Sequence, residues 1–186
     1  MSIEEILFEA EDGMEKAVSF MTHEFAAIRT GKASPALVEN IDVEAYGSTM
    51  KLKQLALITA PEPRLLVIQP FDGTTVRDIE RALNESRIGI HPAVDGKLIR
   101  LPIPELSEER RRDLAKTVKG IAEESRVRVR SSRRNAMDAA KKTQKDGKMS
   151  EDELRDTEGE VQKLTDRFVA DIDKHTAAKE AELMKI

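Results

Sequence analysis

All seven prolines of this 186-residue chain fall between Pro35 and Pro104, and five of its nine glycines (Gly31, Gly47, Gly73, Gly89, Gly96) fall in or just before the same stretch. A proline inside a helix loses a hydrogen bond and clashes with the preceding turn. The stretch therefore cannot be built from long helices, whereas the flanking chain, almost free of breakers, can. The pattern predicts a small module of a different kind inserted between two helical parts, with its edges at Thr30-Gly31 and Pro102-Ile103-Pro104.

The flanks carry helical periodicity. Ile3, Leu7, Ala10, Met14, Ala17, Met21, Phe25 and Ile28 step by three or four, close to a heptad repeat, and Gly31 is the expected stop. Gly13 within this helix costs about 1 kcal/mol relative to alanine. A second helix is expected from Ser107, an N-cap followed by Glu108 and Glu109. Its inner stripe reads Leu114, Val118, Ile121, Ser125, Ser132, Ala136 and Ala139, and the first strong stop is Gly147. Forty residues of helix would be about 60 Å long. The third helix opens on Ser150 and Glu153, a capping-box pair, with a stripe of Leu154, Val161, Leu164, Phe168, Ile172 and Ala178. None of the three can bury its stripe alone, so a three-helix bundle is expected.

The inserted module reads as short strands around one helix. Ile41, Val43 and Ala45 alternate with polar residues up to a turn at Tyr46-Gly47-Ser48, followed by Met50 and Leu52. Two continuous apolar runs, residues 55–60 and 65–68, are joined across Pro61-Glu62-Pro63. Val76, Ile79 and Leu83 mark a short helix after the turn Asp72-Gly73-Thr74-Thr75, and residues 88–90 and 98–101 close the module. The expected fold class is α+β: a long three-helix bundle of residues 1–30 and 105–186, with a small α+β (β/α/β-type) domain of residues 31–104 inserted. Two linkers join them, with Thr30, Gly31, Pro102, Ile103 and Pro104 as the hinge; one rigid molecule is the alternative.

Composition removes whole classes of function. No apolar run approaches the roughly 20 residues that span a bilayer, so no membrane segment is expected. The acidic, periodic start resembles neither a signal nor a transit peptide. The chain has no cysteine, which excludes disulfides, thiolate metal sites and cysteine nucleophiles. A soluble cytoplasmic protein is expected, and a bundle that closes on itself suggests a monomer. His23, His91 and His175 lack partners at zinc-ligand spacing, and no phosphate-binding glycine motif is present. The Asp72–Thr75 turn could hold an anion, but a lone helix N-terminus reads as a cap. Neither an enzyme nor a resident cofactor or metal is expected.

Charge is segregated. Residues 1–30 hold 2 basic and 7 acidic groups, residues 107–148 hold 14 and 7, and residues 149–186 hold 6 and 11. The second helix is thus a basic rod between two acidic ones. Arg112, Lys116, Lys119, Arg126, Arg130, Arg133, Lys141, Lys145 and Lys148 fall on one helical face, with Arg134 beside it. Such a stripe matches a row of phosphates, and arginine adds bidentate geometry. Aromatic residues make up only 3 % of the chain. That favours structured RNA or a duplex over single strands stacked on rings. The competing reading is pairing with the acidic helices, where surface ion pairs contribute about 0–1 kcal/mol each. The arginine density between Arg126 and Arg134 favours RNA.

Several strings then resemble a known family, bacterial ribosome recycling factors. They are Arg29-Thr30-Gly31-Lys32-Ala33-Ser34-Pro35, Tyr46-Gly47, Leu52-Lys53-Gln54-Leu55-Ala56, Arg100-Leu101-Pro102-Ile103-Pro104 and Glu108-Glu109-Arg110-Arg111. Further along come Arg130-Ser131-Ser132-Arg133-Arg134, Val161-Gln162-Lys163-Leu164-Thr165-Asp166 and Lys179-Glu180-Ala181-Glu182-Leu183-Met184. The resemblance spans the whole chain. It implies an L-shaped molecule of roughly tRNA-like dimensions that binds the post-termination ribosome. With elongation factor G and GTP it would split that ribosome into subunits, freeing mRNA and tRNA for a new round of translation. The bundle would grip large-subunit rRNA while the small domain moves on its hinge. By residue, Arg133 matches the family's rRNA-contacting arginine, Arg130 and Arg29 match neighbouring basic contacts, and Arg111 fits the end of that surface. Arg126 and Arg134, on the basic stripe, complete the expected rRNA-binding set. The family has no active site of its own. A non-ribosomal helical adaptor or scaffold, or a general RNA-binding helical protein, is the alternative.

Overall fold

The computed structural model describes residues 1–185. Two compact units emerge: Met1–Phe25 with Arg112–Ile186, and Ala26–Arg111. The chain crosses between them twice.

The first unit is a bundle of three long helices: α1 (Ile3–Ala26), α4 (Glu108–Lys145, whose first turn lies in the second unit) and α5 (Glu151–Met184). Each start is capped as the local sequence dictates. Ser2 Oγ accepts from the Glu5 amide while the Glu5 carboxylate accepts from the Ser2 amide. Ser107 Oγ accepts from the Arg110 amide. Ser150 and Glu153 form the expected reciprocal box, and the amide and hydroxyl of Ser150 hold the Glu153 carboxyl below its ordinary range.

Ile6, Ala10, Met14, Ala17, Met21 and Phe25 are the buried stripe of α1. The helix stops at Ala26, short of Gly31, so Ile28 falls outside it, contrary to expectation. On α4 the buried positions are Leu114, Val118, Ala122, Ser125, Val129, Ala136, Ala140 and Thr143; the expected Ile121, Ser132 and Ala139 are only half-buried. On α5 the stripe is Thr157, Val161, Thr165, Phe168, Ile172, Thr176 and Leu183, whereas Ala178 is exposed. Four buried threonines (Thr143, Thr157, Thr165, Thr176) return their hydroxyls to the carbonyl four residues back, at 2.6–2.9 Å. A threonine satisfied by its own helix presents only its methyl to the core. Small residues bring α1 and α4 together. Ser125 Oγ donates to the Ala17 carbonyl at 2.7 Å, and Gly13 faces Ser132 so closely that a Cβ there would lie 2.5 Å from the hydroxyl.

The second unit is α+β. Strands β1 (Asp42–Ala45) and β2 (Ser48–Lys51) form an antiparallel hairpin. Its turn residues Tyr46 and Gly47 both have positive φ, as a tight hairpin turn requires. Leu52 starts the short turn α2 (Leu52–Leu55) instead of extending β2. A second antiparallel sheet has the order β3 (Ala56–Glu62), β4 (Leu65–Pro70), β6 (Leu98–Pro102), β5 (Ala93–Asp95). β3 runs through Pro61, expected in the loop, to pair Glu62 with Leu65. A register break after Thr59 on this edge strand accommodates the proline. Helix α3 (Val76–Glu85) lays Val76, Ile79 and Leu83 into one core with Leu66, Ile68, Ile99 and Leu101.

That core claims part of the expected hinge. Pro102 pairs with Leu65 in the sheet. Ile103 is 3 % exposed, packs in the same core and donates its amide to the Arg64 carbonyl at 2.8 Å. Ile99, Leu101 and Ile103 continue one alternation: Pro102 ends β6, and Ile103, just past it, is tied to the same core and does not form a free linker. Pro104 follows in residues 103–107, which have no regular structure. Thr30 and Gly31 lie in the irregular residues 27–34, with Gly31 at φ +86°.

Candidate nucleic-acid interface

Helix α4 carries its cations as periodicity demands, and α5 sorts them into two kinds. Arg126 is spent inside the bundle. Its Nη2 and Nε reach Asp173 Oδ1 at 2.7 and 3.2 Å, its Nη1 reaches Glu123 at 3.3 Å, and only 23 % of the side chain is exposed. The Asp173 hydrogen bond raises its pKa above the ordinary value. Arg128 pairs with Glu124 at 2.7 Å and covers the Phe20 ring of α1 at 4.2 Å. Arg126, paired across to α5, behaves as the pairing alternative predicts, whereas Arg128 is neutralised within its own helix.

One turn further on the pattern changes. Arg130 is 59 % exposed and touches a carboxylate, Glu123, only at 3.3 Å. Arg133 is half-buried and held by a neutral group: its Nε donates to Gln162 Oε1 of α5 at 2.8 Å. Among the described residues its two terminal nitrogens have no hydrogen-bond partner. Arg134 is exposed and, among the described residues, makes no ion pair.

A groove of about 590 Å³ runs here between α4 and α5. Its walls carry Arg130, Arg133, Arg134 and Lys141 against Asp138 and Glu158. The neighbouring groove, about 520 Å³, sets Lys119 and Arg126 against Glu123, Asp173 and Glu180 and is self-compensated. The first groove therefore keeps a cationic surplus and an open guanidinium fork, the donor set that suits a phosphodiester.

The structure thus brings Arg130, Arg133 and Arg134 of the expected set to one groove and diverts Arg126. Arg29 and Arg111 belong to the second unit. Burial, and the nearby charge of Arg110, hold the Arg29 guanidinium below its ordinary value. Arg111 Nε is buried without a partner among the described residues. Lys141 sits in the expected stripe but gained its place in the groove only from the fold. Gln162 carries no charge signal, and nothing in the sequence pattern marks it as a partner of Arg133. Among the described residues no group of three or more His, Asp or Glu is arranged to hold a metal ion, and no helix is long and apolar enough to cross a membrane.

Comparison with known proteins covers the whole chain. The family model described as ribosome recycling factor matches residues 21–184. The ribosome-recycling factor of Akkermansia muciniphila is 56 % identical over the full length of both chains, and that of Rubrobacter xylanophilus is 51 % identical over 97 % of each. A solution structure of a ribosome recycling factor superposes with a TM-score of 0.83 at 43 % identity, covering 100 % of this chain and 99 % of the other. A second structure presents models for the T. thermophilus ribosome recycling factor and the E. coli elongation factor G bound to the E. coli post-termination complex. It superposes with a TM-score of 0.71 at 41 % identity over the whole of both chains. With the same fold and about half of the residues shared from end to end, this chain belongs to the ribosome recycling factor family.

Proposed function

We propose that this chain is a non-enzymatic translation factor of the cytoplasm. It binds the post-termination ribosome through large-subunit rRNA and, with elongation factor G and GTP, splits it into subunits. The observation that carries the grip on rRNA is the α4–α5 groove, where Arg133 offers an open fork beside Arg130, Arg134 and Lys141. The related factor bound with elongation factor G to a post-termination complex supports the partners.

The physical division of labour follows from the two units. Helices with continuous buried stripes are stiff levers, since bending one means opening packed side chains. Two chain crossings, at Phe25–Ala26 and Arg111–Arg112, leave few torsions through which the small unit can move, and Thr30 and Gly31 lie in the irregular residues 27–34 that follow the first. Arg29 and Arg111 are the expected rRNA contacts that belong to the second unit. Free energy for splitting comes from the GTPase partner.

The test is light scattering. Post-termination ribosomes mixed with this protein, elongation factor G and GTP should lose scattering as subunits separate, and omission of any component should abolish the loss. Affinity for large subunits should fall on the order of 10³-fold between 50 and 200 mM salt if about six phosphates are neutralised. Salt-insensitive partner binding without affinity for large subunits would instead favour a helical scaffold whose basic helix only pairs within the bundle, as Arg126 does.

A further inference from the structure

We infer that Gln162, held in turn by Asp166, is the positioning residue that aims Arg133 at a phosphate of bound RNA. The inference rests on the rRNA-binding role proposed for Arg133.

Two hydrogen bonds make the relay. Gln162 lies on α5, one turn before Asp166. Its Nε2 donates to Asp166 Oδ1 at 2.9 Å, and its Oε1 accepts from Arg133 Nε on α4 at 2.8 Å. An amide oxygen can accept from a guanidinium only if the amide is turned the right way. The Asp166 carboxylate accepts and cannot donate, so it fixes that orientation. Anchoring through Nε leaves both terminal nitrogens of Arg133 on the outer end of the fork, where a phosphate can be taken bidentately. Gln162 and Arg133 line the same open groove.

The neutral partner is the informative part. Arg126 and Arg128, on the same helix, are anchored by carboxylates, and each carboxylate cancels the charge it positions. At Arg133 the negative charge is set back by one amide. The guanidinium is oriented yet keeps its full charge for a ligand. Aligning a four-torsion side chain before binding removes an entropy cost that RNA would otherwise have to offset. Bundle stability does not require this arrangement, because an exposed Gln–Asp contact contributes little and Val161 and Thr165 beside it carry the packing.

The test is a double-mutant cycle on the full-length protein, read as affinity for purified large ribosomal subunits at fixed salt. Gln162→Met keeps length and helicity but removes the acceptor. It should weaken binding about tenfold, the scale of one charge-assisted hydrogen bond, with an unchanged thermal midpoint. Arg133→Lys, which keeps the charge but not the fork, should cost about as much alone and less than twofold further in the Gln162→Met background. Gln162→Glu should keep Arg133 oriented but neutralise it, lowering the slope of log affinity against log salt by about one. Arg133 Nε–H, followed by its nitrogen-15 resonance, should exchange slowly with water in the parent protein and faster in Gln162→Met. Losses that simply multiply, or Gln162→Met binding like the parent while Arg133→Ala binds weakly, would overturn the relay alone. Unchanged affinity in Arg133→Ala would overturn both the relay and the contact it serves.

Discussion

Arg126 and Arg133 stand two turns apart on one helix, and sequence alone cannot tell them apart: both are arginines on the same basic face. Their partners on α5 separate them. Arg126 meets Asp173, a carboxylate, and Arg133 meets Gln162, an amide. Arg126→Ala should therefore act on the bundle. Removing an arginine that is mostly covered, although its partner Asp173 is 58 % exposed, and that also tethers Glu123 should cost about 1 kcal/mol of stability after solvent screening while leaving large-subunit affinity within twofold. Arg133→Ala should do the reverse, weakening binding by tenfold or more with little change in thermal midpoint. Denaturation curves and subunit-binding isotherms on the same two proteins check both halves. A loss of binding that tracks a loss of helicity for Arg133→Ala would assign that arginine to the fold. The basic stripe was legible from spacing. Which of its members are free was not, because that depends on what α5 presents opposite each one, 47 residues downstream for Arg126 and 29 for Arg133.

At the scale of elements, the helices were legible from their apolar periodicity, although the buried Ile6, Ala122, Val129 and Ala140 fell outside the expected stripes. Met14, Met21, Val118, Val161 and Ile172 were found because every fourth or third residue was greasy. Thr157, Thr165 and Thr176 were missed because a threonine counts as polar until its hydroxyl is seen returned to its own helix. Ile103 was misplaced for the opposite reason: flanking prolines suggested a linker, but alternation with Ile99 and Leu101 outweighs them. Gly13 belongs to the same scale. A glycine inside a 24-residue helix costs about 1 kcal/mol, and its purpose appears only across the α1–α4 contact, where it meets Ser132. A bulky side chain there must push the helices apart. Gly13→Leu should destabilise the protein by about 1–3 kcal/mol, the usual cost of overpacking, despite leucine's better helix propensity. Ser132→Gly should recover part of that loss in the double variant. Chemical denaturation reads it directly: an unchanged or raised midpoint in Gly13→Leu would mean the helices can part there freely.

The whole molecule works only if grip and motion reside in different places, and Gly31 tests that separation. It lies in the irregular residues 27–34, outside both cores, and a Cβ built on it would meet nothing within 4 Å. Its φ of +86° is the one demand it answers. Proline fixes φ near −65° and also restricts the residue before it, here Thr30. Gly31→Pro therefore redirects the irregular segment that follows the Phe25–Ala26 crossing without touching the side chains of either core. Each unit should keep its fold, so circular dichroism and large-subunit affinity should stay close to the parent. Splitting with elongation factor G and GTP should collapse, because a lever that binds in place but cannot swing transmits no displacement. Gly47→Ala supplies the control. That glycine also sits at positive φ (+74°), but in the hairpin turn of the small unit, so the substitution strains the backbone by about 1 kcal/mol without altering a crossing. Light scattering should show Gly47→Ala splitting ribosomes at close to the parent rate. Parent-like splitting by Gly31→Pro would mean that the motion passes through the other crossing, beyond the buried Ile103, and that the strand ending in Pro102 moves as part of the small unit's rigid body.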